Sequence, residues 1–184
     1  MQPRIDVTKV SPAAYQAFAA LQSYVDKSGL DAKLRELIKI RVSQINGCAY
    51  CLAMHTRDAR KLGETDERMH LLNAWREAPL YSARERAALG WVEAVTLVTQ
   101  GHVPDDVFEA ARQEFSEKEI VDLTAAAIAI NSWNRIAIAF RVPSQVESKQ
   151  AAAWLRSGRL ILRGTAVAGS SQMSSKFRSQ YVKK

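Results

Sequence analysis

Along residues 11–143 apolar positions recur at intervals of three and four, and no stretch alternates apolar with polar as a half-buried strand would. Ser11-Pro12 sets a capping hydroxyl before a proline at the first helical position, and Tyr15, Phe18, Leu21, Gln22 and Val25 follow at helical spacing, so a first helix is expected to run to Gly29. Asp31 is placed to cap a second, whose apolar stripe is Leu34, Leu37, Ile38, Val42 and Ile45, with Glu36 on its exposed side. Asn46-Gly47 marks a turn, and a third helix continues through Arg57 and Lys61 to Leu62 before Gly63.

Thr65-Asp66-Glu67 opens a short helix through Met69, Leu72 and Trp75 that Pro79 closes. Ser82 and Glu85 match a capping box and begin a long amphipathic segment through Leu89, Val92 and Leu97 that ends at Gly101. Pro104-Asp105-Asp106 starts another helix, and Ser116 with Glu119 forms a second capping box ahead of Ile120 to Phe140. That last stretch is rich in alanine and isoleucine, so neighbouring helices can approach it closely and it is expected to be the central, mostly buried helix. Its middle carries Asn131, Ser132, Trp133, Asn134 and Arg135, which either satisfy buried backbone groups or line a cavity above the cysteines.

Pro143 ends the regular pattern. Ser148 to Arg156 suits one further short helix, and Ser157 to Lys184 has no sustained period. The expectation is an all-α fold with one helical domain over residues 1–143 and a basic tail over 144–184 that is flexible or used in assembly.

Composition changes this picture in two ways. At 184 residues and 47% apolar the chain can bury one substantial core. The net charge of +7 invites a nucleic-acid reading, yet residues 1–143 hold 18 Lys/Arg and 18 Asp/Glu, and the excess lies in residues 144–184, with 8 Lys/Arg against Glu147. A balanced body argues against a nucleic-acid partner. Met1-Gln2-Pro3-Arg4-Ile5-Asp6 lacks a signal pattern and no apolar run reaches membrane-spanning length, so a soluble cytoplasmic protein without a membrane partner is expected.

The candidate chemistry sits where the third helix begins. The chain's two cysteines, Cys48 and Cys51, stand three apart, and His55 follows four residues after the second. On a helix the three side chains share one face. In a reducing compartment such a pair is more often redox-active or metal-binding than a structural bridge. The helix N-terminus stabilises a thiolate, which by itself favours Cys48, the more N-terminal thiol. His55 lies nearer Cys51 and favours that sulfur as the activated nucleophile, the assignment adopted here. His70 and His102 have no comparable surroundings.

The span from Glu36 to His55 resembles the core motif of AhpD-like alkylhydroperoxidases in the carboxymuconolactone decarboxylase superfamily, in which a glutamate lies twelve residues before a Cys-x-x-Cys-x-x-x-His helix. Glu36, Cys48, Cys51 and His55 match those positions, and a looser likeness covers roughly residues 10–143. The resemblance implies an all-α antioxidant fold assembled as a homo-oligomer, trimer or hexamer. It implies a hydroperoxide substrate, an external dithiol reductant and no bound cofactor. In it Cys51 is the peroxidatic thiol, Cys48 the resolving thiol, and His55 and Glu36 relay the proton through a water. Tyr50 departs from the family's best-known members, which carry a histidine between the cysteines.

Other readings stay open at this point. One is a decarboxylase acting on a lactone acid, although such members generally lack the cysteine pair. Another is zinc held by Cys48, Cys51 and His55. A third is a redox sensor or assembly scaffold whose disulfide forms without turnover.

Overall fold

A computed structural model of the protein describes residues 2–144, in which the regular structure is all helical, with no strand among the described residues. The expected tail and the expected helix at 148–156 lie outside them. In chain order the helices are α1 (Val7–Val10), α2 (Pro12–Lys27), α3 (Ala32–Asn46), α4 (Ala49–Lys61), α5 (Asp66–Leu71), α6 (Ala83–Thr96), α7 (Asp105–Glu114) and α8 (Glu117–Phe140). One-turn 3-10 segments, Leu72–Ala74 and Val98–Gln100, follow α5 and α6. The expected helix to Gly101 therefore breaks at Thr96, and only this short turn carries the chain on.

Local chemistry sets most of the boundaries. Asp31 accepts from the Leu34 N–H at 2.9 Å, and both capping boxes, Ser82 with Glu85 and Ser116 with Glu119, are formed in full. Ser11 is an exception, because its hydroxyl makes no cap bond. Its N–H is bound to the Val7 carbonyl as the end of α1, and this holds its backbone away from capping geometry. Helix α1 has no counterpart in the sequence pattern; at one turn it is too short for a period to show.

Helix α3 divides the interior. Leu34, Ile38 and Val42 enter one apolar cluster with Val25 of α2, Val92 of α6 and Leu123 and Ile130 of α8. Leu37 and Ile40, on an adjacent arc, enter a second with Ala59, Met69, Leu72, Trp75 and Leu89. The remaining arc carries Glu36, Lys39 and Ser43, at i, i+3 and i+7 and all buried. Helix α3 packs on α4, α6 and α8, and α8 packs also on α2, as expected of a central helix.

Gly47 is what joins α3 to α4 so closely. The N–H of Gly47 bonds the Gln44 carbonyl and that of Cys48 the Ser43 carbonyl, a Schellman end that requires the left-handed φ of 68° at Gly47. Cys48 thereby becomes the residue before the first turn of α4.

Candidate functional site

Cys48 is the N-cap of α4, one position earlier than the first turn expected from the sequence. Its Sγ accepts from the Cys51 N–H at 3.4 Å, and the two Sγ atoms are in hydrogen-bond contact at 2.8 Å. Both cysteines are buried free thiols. They open onto different spaces. Cys51 and His55 line a cavity of about 680 Å³, whereas Cys48 lines a separate one of about 200 Å³.

Glu36 corrects an expectation. A charge between apolar neighbours reads as solvated, yet Glu36 is only 8% exposed. Its two oxygens are divided: Oε1 accepts from Lys39 Nζ at 3.0 Å, and Oε2 meets His55 Nδ1 at 2.8 Å. Burial pushes the Glu36 carboxyl up, but the hydrogen bond and charge of His55, with those of Lys39, outweigh it and hold the group below the ordinary 4.5. An ionised carboxylate only accepts, so Nδ1 carries the proton and Nε2 is left to act in the cavity that His55 lines. Lys39 also lies 3.9 Å from Asp26. Lys39 stands three residues after Glu36 in the sequence, the spacing that puts both on one helix face.

The cavity walls are mainly apolar, with Tyr15, Tyr50, Met54, Trp133, Ile136 and Phe140 among them. The N-terminal segment closes one side through Pro3, Ile5 and Val7. It is held there by Arg4, whose N–H bonds the Phe140 carbonyl at 2.9 Å and whose guanidinium bonds the Ala139 carbonyl at 3.1 Å. These contacts join positions at least 135 residues apart, so no local pattern could have shown them.

Comparison with known proteins agrees with this architecture. Residues 12–94 match the model of the carboxymuconolactone decarboxylase family, a span that contains Glu36, Cys48, Cys51 and His55. The uncharacterized protein YdfG of Bacillus subtilis is 44% identical over 139 residues, 76% of this chain and 95% of its own. The chain belongs to the carboxymuconolactone decarboxylase family. Within it, the fold is AhpD-like. A structure from Agrobacterium tumefaciens, described as a protein of unknown function assigned to AhpD antioxidant defence, superposes with a TM-score of 0.76 at 48% identity, covering 78% of this chain and 98% of that one. The debrominase Bmp8 shares the fold alone, at a TM-score of 0.63 and 20% identity over 73% of this chain and 72% of its own.

In this AhpD-like site the two thiols are electrostatically unequal. The hydrogen bond from Cys51, which outweighs burial, brings the Cys48 thiol down to about 7, with help from the Cys51 and Tyr50 backbone and the Asn134 amide. The same contact with Cys48, together with burial, pushes the Cys51 thiol well above the ordinary range, against which the Asn134 amide pulls it down. The acidic thiol is thus Cys48, as helix-end reasoning alone indicates, while the sulfur facing the large cavity and His55 is Cys51.

Asn134, from the polar insert of α8, is fully buried. Both readings of that insert hold in part. Asn131 bonds the Ala127 carbonyl within its own helix, Trp133 lines the cavity, and Asn134 donates to Ser43 Oγ of α3 at 3.0 Å. No group of three or more His, Cys, Asp or Glu side chains among the described residues is arranged to hold a metal ion. Nor is any described helix long and apolar enough to cross a membrane.

Proposed function

We propose that this protein is a thiol-dependent hydroperoxidase that cycles Cys48 and Cys51 between dithiol and disulfide. The observation that carries the reading is a sulfur at the wall of a substrate-sized cavity, Cys51, with a second, more acidic thiol in contact behind it and an oriented imidazole beside it. A cavity of about 680 Å³ falls within the usual range for small-molecule sites. The AhpD-like relative from Agrobacterium tumefaciens and the matched motif support the same reading. A lactone-acid decarboxylase would leave the cysteine pair without a role.

In the resting monoanion the charge sits on Cys48. Transfer of the Cys51 proton across the sulfur contact to Cys48 moves the charge to the cavity side. The Cys51 thiolate then attacks the terminal oxygen of ROOH; the O–O bond breaks, sulfur is oxidised to the sulfenic acid, and RO⁻ takes the proton that His55 Nε2 has picked up from solvent, to leave as ROH. Glu36 holds the Nδ1–H and stabilises the imidazolium whenever His55 is charged. The Cys48 sulfur attacks the Cys51 sulfur, forming the S–S bond and breaking S–OH, and the Cys48 thiol proton joins the expelled hydroxide as water. An external dithiol returns the pair to its reduced form and is itself oxidised to a disulfide.

We further infer a homo-oligomer, trimer or hexamer, for which support lies in apolar side chains left exposed along α8, Val121 at 61% and Ile128 and Ile138 each at 48%. Light scattering at micromolar concentration tests it; a monomer contradicts it. Location in the cytoplasm is part of the same proposal. A steady-state assay with an organic hydroperoxide and a dithiol donor tests the catalytic reading, which fails if wild type consumes peroxide no faster than Cys51→Ser.

A further inference from the structure

The two sulfurs face separate spaces, and the reaction with peroxide uses only one of them. Cys51 lines the large cavity; Cys48 lines the one of about 200 Å³, to which neither Cys51 nor His55 contributes. Tyr50, Ala137, Val142 and Pro143 line both and so belong to the wall between them. Displacement at a disulfide runs along the S–S axis, so a nucleophile that attacks Cys48 must come from the side away from Cys51. The smaller cavity is space on the Cys48 side. At about 200 Å³ it falls short of the roughly 300 Å³ at which small-molecule sites begin, and it suits a slender thiol arm more than a whole ligand.

Charge separates the two spaces as well. In the large cavity the lysine, Lys39, is matched by Glu36 at 3.0 Å and Asp26 at 3.9 Å, and Asp6 lines the same walls. In the small cavity the charged residue is Arg141, exposed at the left-handed turn that ends α8. Its guanidinium makes no hydrogen bond or ion pair among the described residues. An unmatched cation at a slot that ends on sulfur complements a thiolate, the reactive form of a reducing thiol.

We propose that the smaller cavity is the entry site for the reductant, where an anionic thiolate guided by Arg141 reaches Cys48, while peroxide reaches Cys51 from the other side. The inference deepens the hydroperoxidase reading and rests on it for the oxidative half of the cycle. One thiolate of the dithiol attacks the Cys48 sulfur; the Cys48–Cys51 bond breaks, its electron pair goes to Cys51, and Cys51 takes a proton from solvent. The Cys48 thiolate that otherwise makes Cys51 hard to ionise is absent at that moment, because Cys48 is held in the mixed disulfide. The second thiolate of the dithiol then attacks the reductant's own bound sulfur, closes the reductant's disulfide and expels Cys48, the more acidic thiol and the better leaving group. Two electrons pass from the dithiol to the protein, and both cysteines return to their reduced form.

The test follows the reductive half-reaction by itself. Full-length protein is oxidised to the Cys48–Cys51 disulfide with diamide, which involves no peroxide, and its reduction by dithiothreitol, dimercaptosuccinate or reduced thioredoxin is timed by stopped flow. Ala49→Trp fills the smaller cavity, which Ala49 lines without lining the larger. It is expected to slow reduction about tenfold more than it slows disulfide formation with an organic hydroperoxide, since access governs exchange. Arg141→Gln is expected to slow the doubly carboxylated dimercaptosuccinate about threefold or more at low salt, and dithiothreitol less, with the gap closing as salt is raised. Arg141→Lys should restore the rate, which loss of packing alone would not allow. The shared thiolate chemistry admits a free or a protein dithiol, and whichever of dimercaptosuccinate and thioredoxin reduces faster at equal concentration identifies the source. Mercaptoacetate, a charged monothiol, added to the oxidised protein and quenched in acid, should leave its mixed disulfide on Cys48 when mapped by mass spectrometry. The inference is overturned if that adduct sits on Cys51, if Ala49→Trp slows both half-reactions equally or neither, or if Arg141→Lys reduces as poorly as Arg141→Gln. A protein that passes these tests but fails the turnover assay would sink the peroxidase reading and leave the reductant site intact; the opposite result would leave peroxidase activity standing without this entry route.

Discussion

Helices α4 and α8 begin in the same way and for different ends. At α8 the Ser116 Oγ accepts from the Glu119 N–H at 3.3 Å, and the Glu119 carboxylate returns a bond to the Ser116 N–H at 2.9 Å. At α4 the Cys48 Sγ accepts from the Cys51 N–H at 3.4 Å, and the side chain three residues on is again in contact with the cap, now sulfur to sulfur at 2.8 Å. Spacing and backbone geometry are shared; the capping atom differs. Oxygen at the first site satisfies an orphan donor and itself donates to the Glu119 carboxylate at 2.9 Å, a purely structural role. Sulfur at the second satisfies the same donor less well, and in return the helix end, with the Cys51 contact, makes a group that can be oxidised more acidic. A stabilising arrangement at one helix start is a redox arrangement at the other, because sulfur stands both at the cap and three residues on.

Changes that separate the two roles test this comparison most strongly. Cys51→Ser keeps the cap but removes the cavity-facing sulfur, so peroxide consumption is expected to fall to background while thermal stability stays close to wild type. Next in size, Glu36→Gln removes the acceptor that orients His55 and is expected to cost about a hundredfold or more in kcat/KM, the range for general acid-base assistance. The same substitution has a signature in acid. The depressed Glu36 carboxyl contributes stability that is complete above the ordinary 4.5 and is lost as pH falls through its lower folded value. The stability gap between wild type and Glu36→Gln should therefore narrow as urea titrations are moved to pH values below 4.5.

How much of this was legible along the chain depended on range. Caps at Asp31, Ser82 and Ser116 concern residues three apart, and all form where the sequence places them. Ser11 failed because one-turn helix α1 engages its backbone from the other side. Glu36, Cys48, Cys51 and His55 were recognisable from offsets on adjacent helices. The burial of Glu36 was not, since helical periodicity assigns every charge to solvent unless a partner from another helix is known. Asn134 could be singled out as polar in an apolar stretch, but its direction depends on Asn46, 88 residues away.

Smaller effects sharpen the contrast. Ser116→Ala should lower stability by about 1 kcal/mol, the usual worth of an N-cap, with no change in thiol reactivity. Ser11→Ala, whose hydroxyl caps nothing, should fall within about 0.5 kcal/mol of wild type in the same denaturation experiment. For Cys48→Ser a better capping atom replaces a weaker one, so stability should hold or rise slightly even as the disulfide becomes impossible.

The central claim is that Cys51 attacks and Cys48 resolves, although Cys48 is the more acidic of the two. Treating Cys48→Ser and Cys51→Ser with one equivalent of an organic hydroperoxide, then trapping sulfenic acid and locating it by mass spectrometry, tests this directly. The account expects a trapped sulfenate at Cys51 in the first variant and little oxidation of Cys48 in the second. A sulfenate that forms at Cys48 and not at Cys51 would contradict it.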